Sequence, residues 1–201
     1  MKTLIQYCFI SLFSGFLVAC TVTPSANAPL NQQLSWQTRQ HQLSSIQSWT
    51  LNGQISIQNN QKRESANVTW HQAGQDYTIS MFGPLGLGGA ILTGKPGLVT
   101  LEEDNGQKIT ANSPEALINK TSHWLLPISN LYFWIRGIPG PTTLPQFRLD
   151  SYNHLIQLKQ EGWKIRYLQY TGVDGVDLPS IMTLSRPPLF MKLVINQWNL
   201  K

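Results

Sequence analysis

The chain has 201 residues; 41% are hydrophobic, 10% aromatic and only 12% charged, and the formal net charge is +5. This length suits one domain with a sizeable core. The apolar supply excludes intrinsic disorder, and the scarcity of charged residues excludes a coiled coil. The two cysteines, Cys8 and Cys20, both precede residue 21, so the body holds neither a disulfide nor a cysteine-bound zinc ion.

Residues 1–19 place one positive charge, Lys2, before an apolar stretch from Tyr7 to Ala19. That stretch falls short of the ~20 residues a membrane-spanning helix needs, and its layout is that of a secretory signal peptide. It runs into Leu17-Val18-Ala19-Cys20, which resembles the bacterial lipobox. The resemblance implies a diacylglycerol on the Cys20 thiol and cleavage just before it. Thr21, rather than Asp, follows the cysteine, which by the same resemblance implies the outer membrane. Thr21 to Pro29 is small, polar and proline-containing, the composition of a flexible linker. The expected organisation is a signal peptide at 1–19, a lipidated cysteine and linker at 20–29, and a folded domain at 30–201.

Within that domain, Leu30, Leu34, Leu43 and Ile46 space out a weak amphipathic helix over Leu30 to Ile46. From Trp49 the period changes to two: Trp49, Leu51, Gly53, Ile55 and Ile57 alternate with polar residues, as in a half-buried strand. Ala66, Val68 and Trp70 repeat the pattern, and Tyr77, Ile79 and Met81 repeat it again. Turn signals at Asn59-Asn60, Ala73-Gly74, Gly94 to Gly97 and Asp104 to Gly106 separate the runs. Ser113-Pro114-Glu115 then starts a helix carrying Leu117, Ile118 and Trp124, interrupted by Pro127. Leu131, Trp134 and Ile135 predict a second short helix ending at Gly137. Strands resume at about 153–160, 163–170, 178–185 and 189–199, with turns at Gly162 and Asp174-Gly175. The sum is an antiparallel sheet curling toward a barrel, mainly β with two inserted helices.

Chemistry is scarce. His41, His71, His123 and His154 are not at metal-ligand spacing, and no G-x-S-x-G elbow occurs. Gly89 to Lys95 matches the start of a phosphate loop. Pro96 replaces the hydroxyl residue, and the residues between are strand-like, so the match is fortuitous. Cations are scattered (Arg39, Lys62, Arg63, Lys95, Lys108, Lys120, Arg136), which argues against nucleic acid and fits a mild preference for anionic lipid surfaces. No cofactor or catalytic residue is expected. Phe82-Gly83-Pro84-Leu85-Gly86-Leu87-Gly88-Gly89 is longer and more apolar than a hairpin needs. Leu85 and Leu87 either tuck into the core or form an exposed tip that meets a membrane or partner.

Four further pieces carry a resemblance: Trp70 to Tyr77 (WHQAGQDY), Gly83 to Gly86 (GPLG), Leu126 to Pro139 (LPISNLYFWIRGIP) and Lys192 to Trp198 (KLVINQW). In this order, behind a lipobox, the chain resembles the LolB family of outer-membrane lipoproteins. The resemblance implies an open, curved antiparallel sheet, helices on its concave face and an apolar cavity between them. It implies a protein that accepts lipoproteins from a periplasmic LolA-like carrier, holds their acyl chains and inserts them into the outer membrane. By the same resemblance, Leu85 sits at the family's protruding loop, with Leu87 beside it. Expected cavity walls are Trp49, Leu51, Val68 and Ile79 from the sheet, and Leu117, Leu131 and Trp134 from the helices. A packed core is the alternative for each. The expected state is a lipid-anchored monomer on the periplasmic side of the outer membrane, touching its inner leaflet. The competing class is a lipid-anchored scaffold of an envelope assembly, which would not bind acyl chains.

Overall fold

The computed structural model describes residues 27–60, 62–83, 88–121 and 127–201. In chain order the elements are α1 (Trp36–Ser45), β1 (Ser48–Gln58), β2 (Arg63–Ala73), β3 (Asp76–Phe82), β4 (Gly89–Lys95), β5 (Leu98–Glu103), β6 (Lys108–Ala111), α2 (Pro114–Thr121), α3 (Ile128–Trp134), β7 (Gln146–Leu149), β8 (Leu155–Gln160), β9 (Trp163–Val173), β10 (Val176–Arg186) and β11 (Leu189–Leu200). Among the described residues the strands form one antiparallel sheet in the order β6-β5-β4-β3-β2-β1-β11-β10-β9-β8-β7. The sheet is open, with β6 and β7 at its edges. β1 and β11 pair at its centre, joining the two meanders, from Trp49 opposite Leu200 to Gln58 opposite Phe190.

Tight turns hold the register. Glu161-Gly162 and Asp174-Gly175 have positive φ at both positions, matching the twist of the strands they join. Gly53 marks a bulge between β1 and β11; a Cβ there would run into the Val194 carbonyl. One end of the sheet gathers the connections at 59–62, 83–88, 104–107, 161–162 and 187–188 and is called here the mouth end. The opposite end carries the turns at 74–75, 96–97 and 174–175.

The inner face holds the core. Alternate positions Leu51, Ile55, Val68, Ile79, Leu158, Ile165, Leu184 and Met191 are buried there, and α2 and α3 cover it. Ser113 Oγ accepts from Ala116 N at the start of α2, and α3 ends before Gly137, whose φ of 79° no other residue adopts easily. Ile118 and Trp124, expected on the helical stripe, have side chains outside the described residues.

Three expectations from sequence are revised. α1 begins at Trp36, with Ser35 capping Thr38 N, instead of at Leu30. The preceding turn is unavailable: Leu30 and Asn31 donate their backbone N–H groups to the Asp177 carboxylate, at 2.6 and 3.1 Å. The last linker residues are docked, since Thr171 Oγ1 donates to the Asn27 carbonyl. Arg39 and Arg136, counted among scattered cations, are buried.

An apolar cavity as candidate functional site

Strand alternation turns Leu51 and Ile55 of β1, Val68 of β2, Ile79 and Met81 of β3 and Leu92 of β4 to one side, and α2 and α3 return Leu117, Ile128, Leu131 and Ile135 toward them. Between sheet and helices these side chains enclose a chamber of about 90 Å³. A larger hollow of about 700 Å³ adjoins it at the mouth end, walled by Ile55, Ile57, Ala66, Met81 and Ala90 with the backbone of Gly83, Gly88 and Gly89. Ile55 and Met81 are walls of both, so the two spaces lie end to end. Arg63, Glu64 and Ser65 provide the polar edge. The stems of the β3–β4 loop are fastened by Gly83 N donating to Gly88 O at 3.0 Å.

Among the described residues no titratable side chain lines the inner chamber. The indole N–H of Trp70, one of its walls, donates to Gln72 Oε1 at 2.9 Å. Such a surface gives about 25 cal/mol for each Å² of apolar ligand area it shields, and offers nothing to a polar ligand.

Leu51, Val68, Ile79, Leu117 and Leu131 line the chamber. Trp49 and Trp134, also expected as walls, lie outside both linings. Trp49 packs at the opposite end of the sheet, its ring centroid 5.2 Å from those of both Trp70 and Trp198. Trp134 turns toward β8 and β9, donating its indole N–H to Gln160 Oε1 at 2.9 Å beside Trp163. Periodicity places a residue on the inner face but not along its length. Ile55, Ile57 and Met81 belong to the same alternating runs as the expected walls, so the signal for them was present. Cys20, Leu85 and Leu87 lie outside the described residues; Gly83 and Gly88, the nearest described residues on either side of the two leucines in sequence, line the mouth hollow. The Gly89–Lys95 stretch is strand β4, followed by β5 and not by a helix.

Polar chemistry is concentrated elsewhere, in a buried clasp. His154 lies between Asp150 and Asp177, each ring nitrogen 2.9 Å from a carboxylate oxygen, and Arg39 approaches Asp177 at 3.7 Å. Burial alone would raise the Asp150 carboxyl; hydrogen bonds from the His154 and Tyr152 backbone and from the His154 ring outweigh it and hold the pKa below the ordinary value. Every partner is internal, so the clasp ties the segment before α1 to β10. Tyr77 is pushed up to about 12, first by burial and then by Glu115, and stays neutral near pH 7. Among the described residues no group of three or more His, Cys, Asp or Glu is placed to hold a metal ion.

An open antiparallel sheet around an apolar hollow defines a fold that recurs in solved structures. A DUF1329 family protein from Desulfovibrio piger superposes with a TM-score of 0.57 at 10% identity, covering 87% of this chain and 94% of that one. A LolA superfamily protein from Nitrosomonas europaea superposes with a TM-score of 0.52 at 10% identity, covering 84% and 94%. The sequence is more specific. The profile of the family "Outer membrane lipoprotein LolB" matches residues 47–198. Outer-membrane lipoprotein LolB of Coxiella burnetii (strain Dugway 5J108-111) is 40% identical over 197 residues, 96% of this chain and 93% of its own length. The namesake in Ectopseudomonas mendocina is 37% identical over 200 residues, covering 98% and 96%. The chain belongs to the LolB family. It is an outer-membrane lipoprotein of lipoprotein localisation. No helix among the described residues is long and apolar enough to cross a membrane.

Proposed function

We propose that the protein accepts lipoproteins from a LolA-like periplasmic carrier, shelters their acyl chains in the cavity and releases them into the outer membrane. The observation that carries this reading is the pair of adjoining apolar spaces, the hollow at the mouth end and the chamber under α2 and α3, which share Ile55 and Met81 as walls. Acyl chains are expensive to expose, at about 0.8 kcal/mol per CH₂, so a carrier in water must hide them. The inner chamber alone, at about 90 Å³, is small beside the mouth hollow, so chains enter the hollow first and spread α2 and α3 from the sheet to go deeper. Cys20 carries the anchor, and Leu85, with Leu87, enters the bilayer during delivery. One buried leucine contributes roughly 1.5–3 kcal/mol, enough to bias docking but not to anchor.

Acyl-chain binding tests the cavity. A fluorescent fatty acid should bind the Cys20→Ala chain at one site, and Leu131→Trp should weaken binding more than it lowers the unfolding midpoint. No binding at micromolar probe would sink the reading and favour the scaffold alternative. Leu85→Glu should keep acceptance of cargo, seen by cross-linking to the carrier's load, and lose delivery, seen by liposome flotation. Failure of both steps with a destabilised fold would make Leu85 a core residue; failure with Leu87→Glu alone would move the role there.

A further inference from the structure

The strands on one side of β1 carry an excess of cations. The sequences of β7 to β11 contain Arg148, Lys159, Lys164, Arg166, Arg186 and Lys192 against one acid, Asp177, which is 1% exposed and already engaged by Arg39 and His154. Leu158, Ile165, Leu184 and Met191 point into the core, so the residues between them point outward, away from the cavity. Register then aligns the cations. Lys192 pairs with Thr183, Thr183 with Arg166, Arg166 with Gln157 and Gln157 with Arg148, one row across five strands. The next row toward the mouth end runs Phe190, Ser185, Lys164, Lys159, Gln146. At the usual strand spacing the five cations occupy a field about 20 Å by 7 Å.

Two features separate this field from an ordinary solvated surface. Lys159 and Lys164 are directly opposite each other, an arrangement that destabilises a sheet. None of Arg148, Lys159, Lys164, Arg166 and Lys192 forms an ion pair with a described residue, so the repulsion has no internal offset. The second feature is Phe190, 44% exposed within the row, an apolar side chain suited to a boundary between headgroups and acyl chains.

We propose that the outer face of β7–β11, through Arg148, Lys159, Lys164, Arg166 and Lys192 around Phe190, docks on anionic phospholipid headgroups and sets the mouth end of the cavity against the leaflet. Both rows lie close to the 161–162 and 187–188 turns, at the same end as the mouth hollow and the Gly83 and Gly88 loop stems. The inference extends the reading that the mouth delivers cargo to the membrane. The tether agrees with it. Asn27 is fixed to Thr171 at the opposite end of β9, and Cys20 lies seven residues before Asn27, a reach of up to about 25 Å. Thr171 to Lys164 along β9 is also seven residues, about 23 Å, so anchor and mouth end reach one surface together.

The test uses the lipidated protein in vesicles of phosphatidylcholine, with or without phosphatidylglycerol. A nitroxide on Ser185→Cys reports the outer face of β10; one on Thr93→Cys, outward on β4, is the control. Phosphatidylglycerol should shield the label at 185 severalfold from a water-soluble relaxant and leave the label at 93 unchanged. Raising salt to ~1 M, where the screening length is about 3 Å, should abolish the shielding. Lys159→Gln/Lys164→Gln/Arg166→Gln should abolish it too, with no fall in the unfolding midpoint because the lysine pair no longer repels. Equal exposure in both vesicles, or shielding that survives the triple substitution, overturns the proposal. Shielding at 185 only when the carrier is added would make the face a protein interface and overturn it likewise. Fatty-acid binding should be intact in the triple variant. Loss of that binding in the unsubstituted protein would sink the cavity reading and leave the vesicle result standing.

Discussion

Arg136 shows how much a single buried side chain can tie together. It is 1% exposed, yet its guanidinium donates to the carbonyls of Tyr132, Leu43 and Ile46 and lies 4.0 Å from the Tyr132 ring centroid. The end of α1 thus hangs on the end of α3 through one cation, which supplies the donors the last α1 carbonyls lack. Arg136→Met keeps the volume and strands three acceptors, so it should destabilise by about 2–4 kcal/mol. Urea unfolding should show the loss as a lower midpoint at an unchanged slope. The clasp at Asp150 adds a pH dependence with a definite sign. Its folded pKa lies below the unfolded value of ~3.9, so its contribution is present above that pH and is lost as pH falls through the folded value. Asp150→Asn should be less stable than the parent at pH 7, and the gap between them should close as pH drops below about 4. Urea midpoints at both pH values measure this; a gap that stays constant would mean the carboxylate charge is not what matters.

At the level of elements, period-two alternation was enough for β1, β2 and β3, because each has one face turned to the core and one toward solvent. Asp174-Gly175 was legible because few sequences tolerate two consecutive positive φ angles. What escaped depends on distant partners. The delayed start of α1 is decided by Asp177, 147 residues away from Leu30. β7, with only four residues and an exposed edge, has too short a run to show a period. The cavity was half legible for the same reason. Alternation and helical stripe gave the inward side of Leu51, Val68, Ile79, Leu117 and Leu131. The displacement of Trp49 toward Trp198 and of Trp134 toward Gln160 is set by β11 and β8, strands far along the chain. A cation row is harder still, since Arg148, Arg166 and Lys192 become neighbours only through register.

For the molecule as a whole, the decisive pairing is β1 with β11. Each meander alone has an unpaired long strand at its inner edge, and the core residues Leu51, Ile55, Met191 and Leu193 meet only when the two are zipped. A chain ending at Pro188 should therefore show no cooperative thermal transition and no fixed Trp environment by near-ultraviolet circular dichroism. Retention of a sharp transition would mean the meanders are stable apart. The sheet also sets a clock. An outer-membrane lipoprotein crosses the inner membrane before it works, and a chain threaded amino end first brings out β11 last of all the strands. Until Leu189 to Leu200 emerge, β1 has no partner on one side and the inner chamber lacks the wall that Leu193 supplies. Under the proposed function, an anchor at Cys20, at the other end of the chain, would then be set before the chamber that shelters cargo is complete.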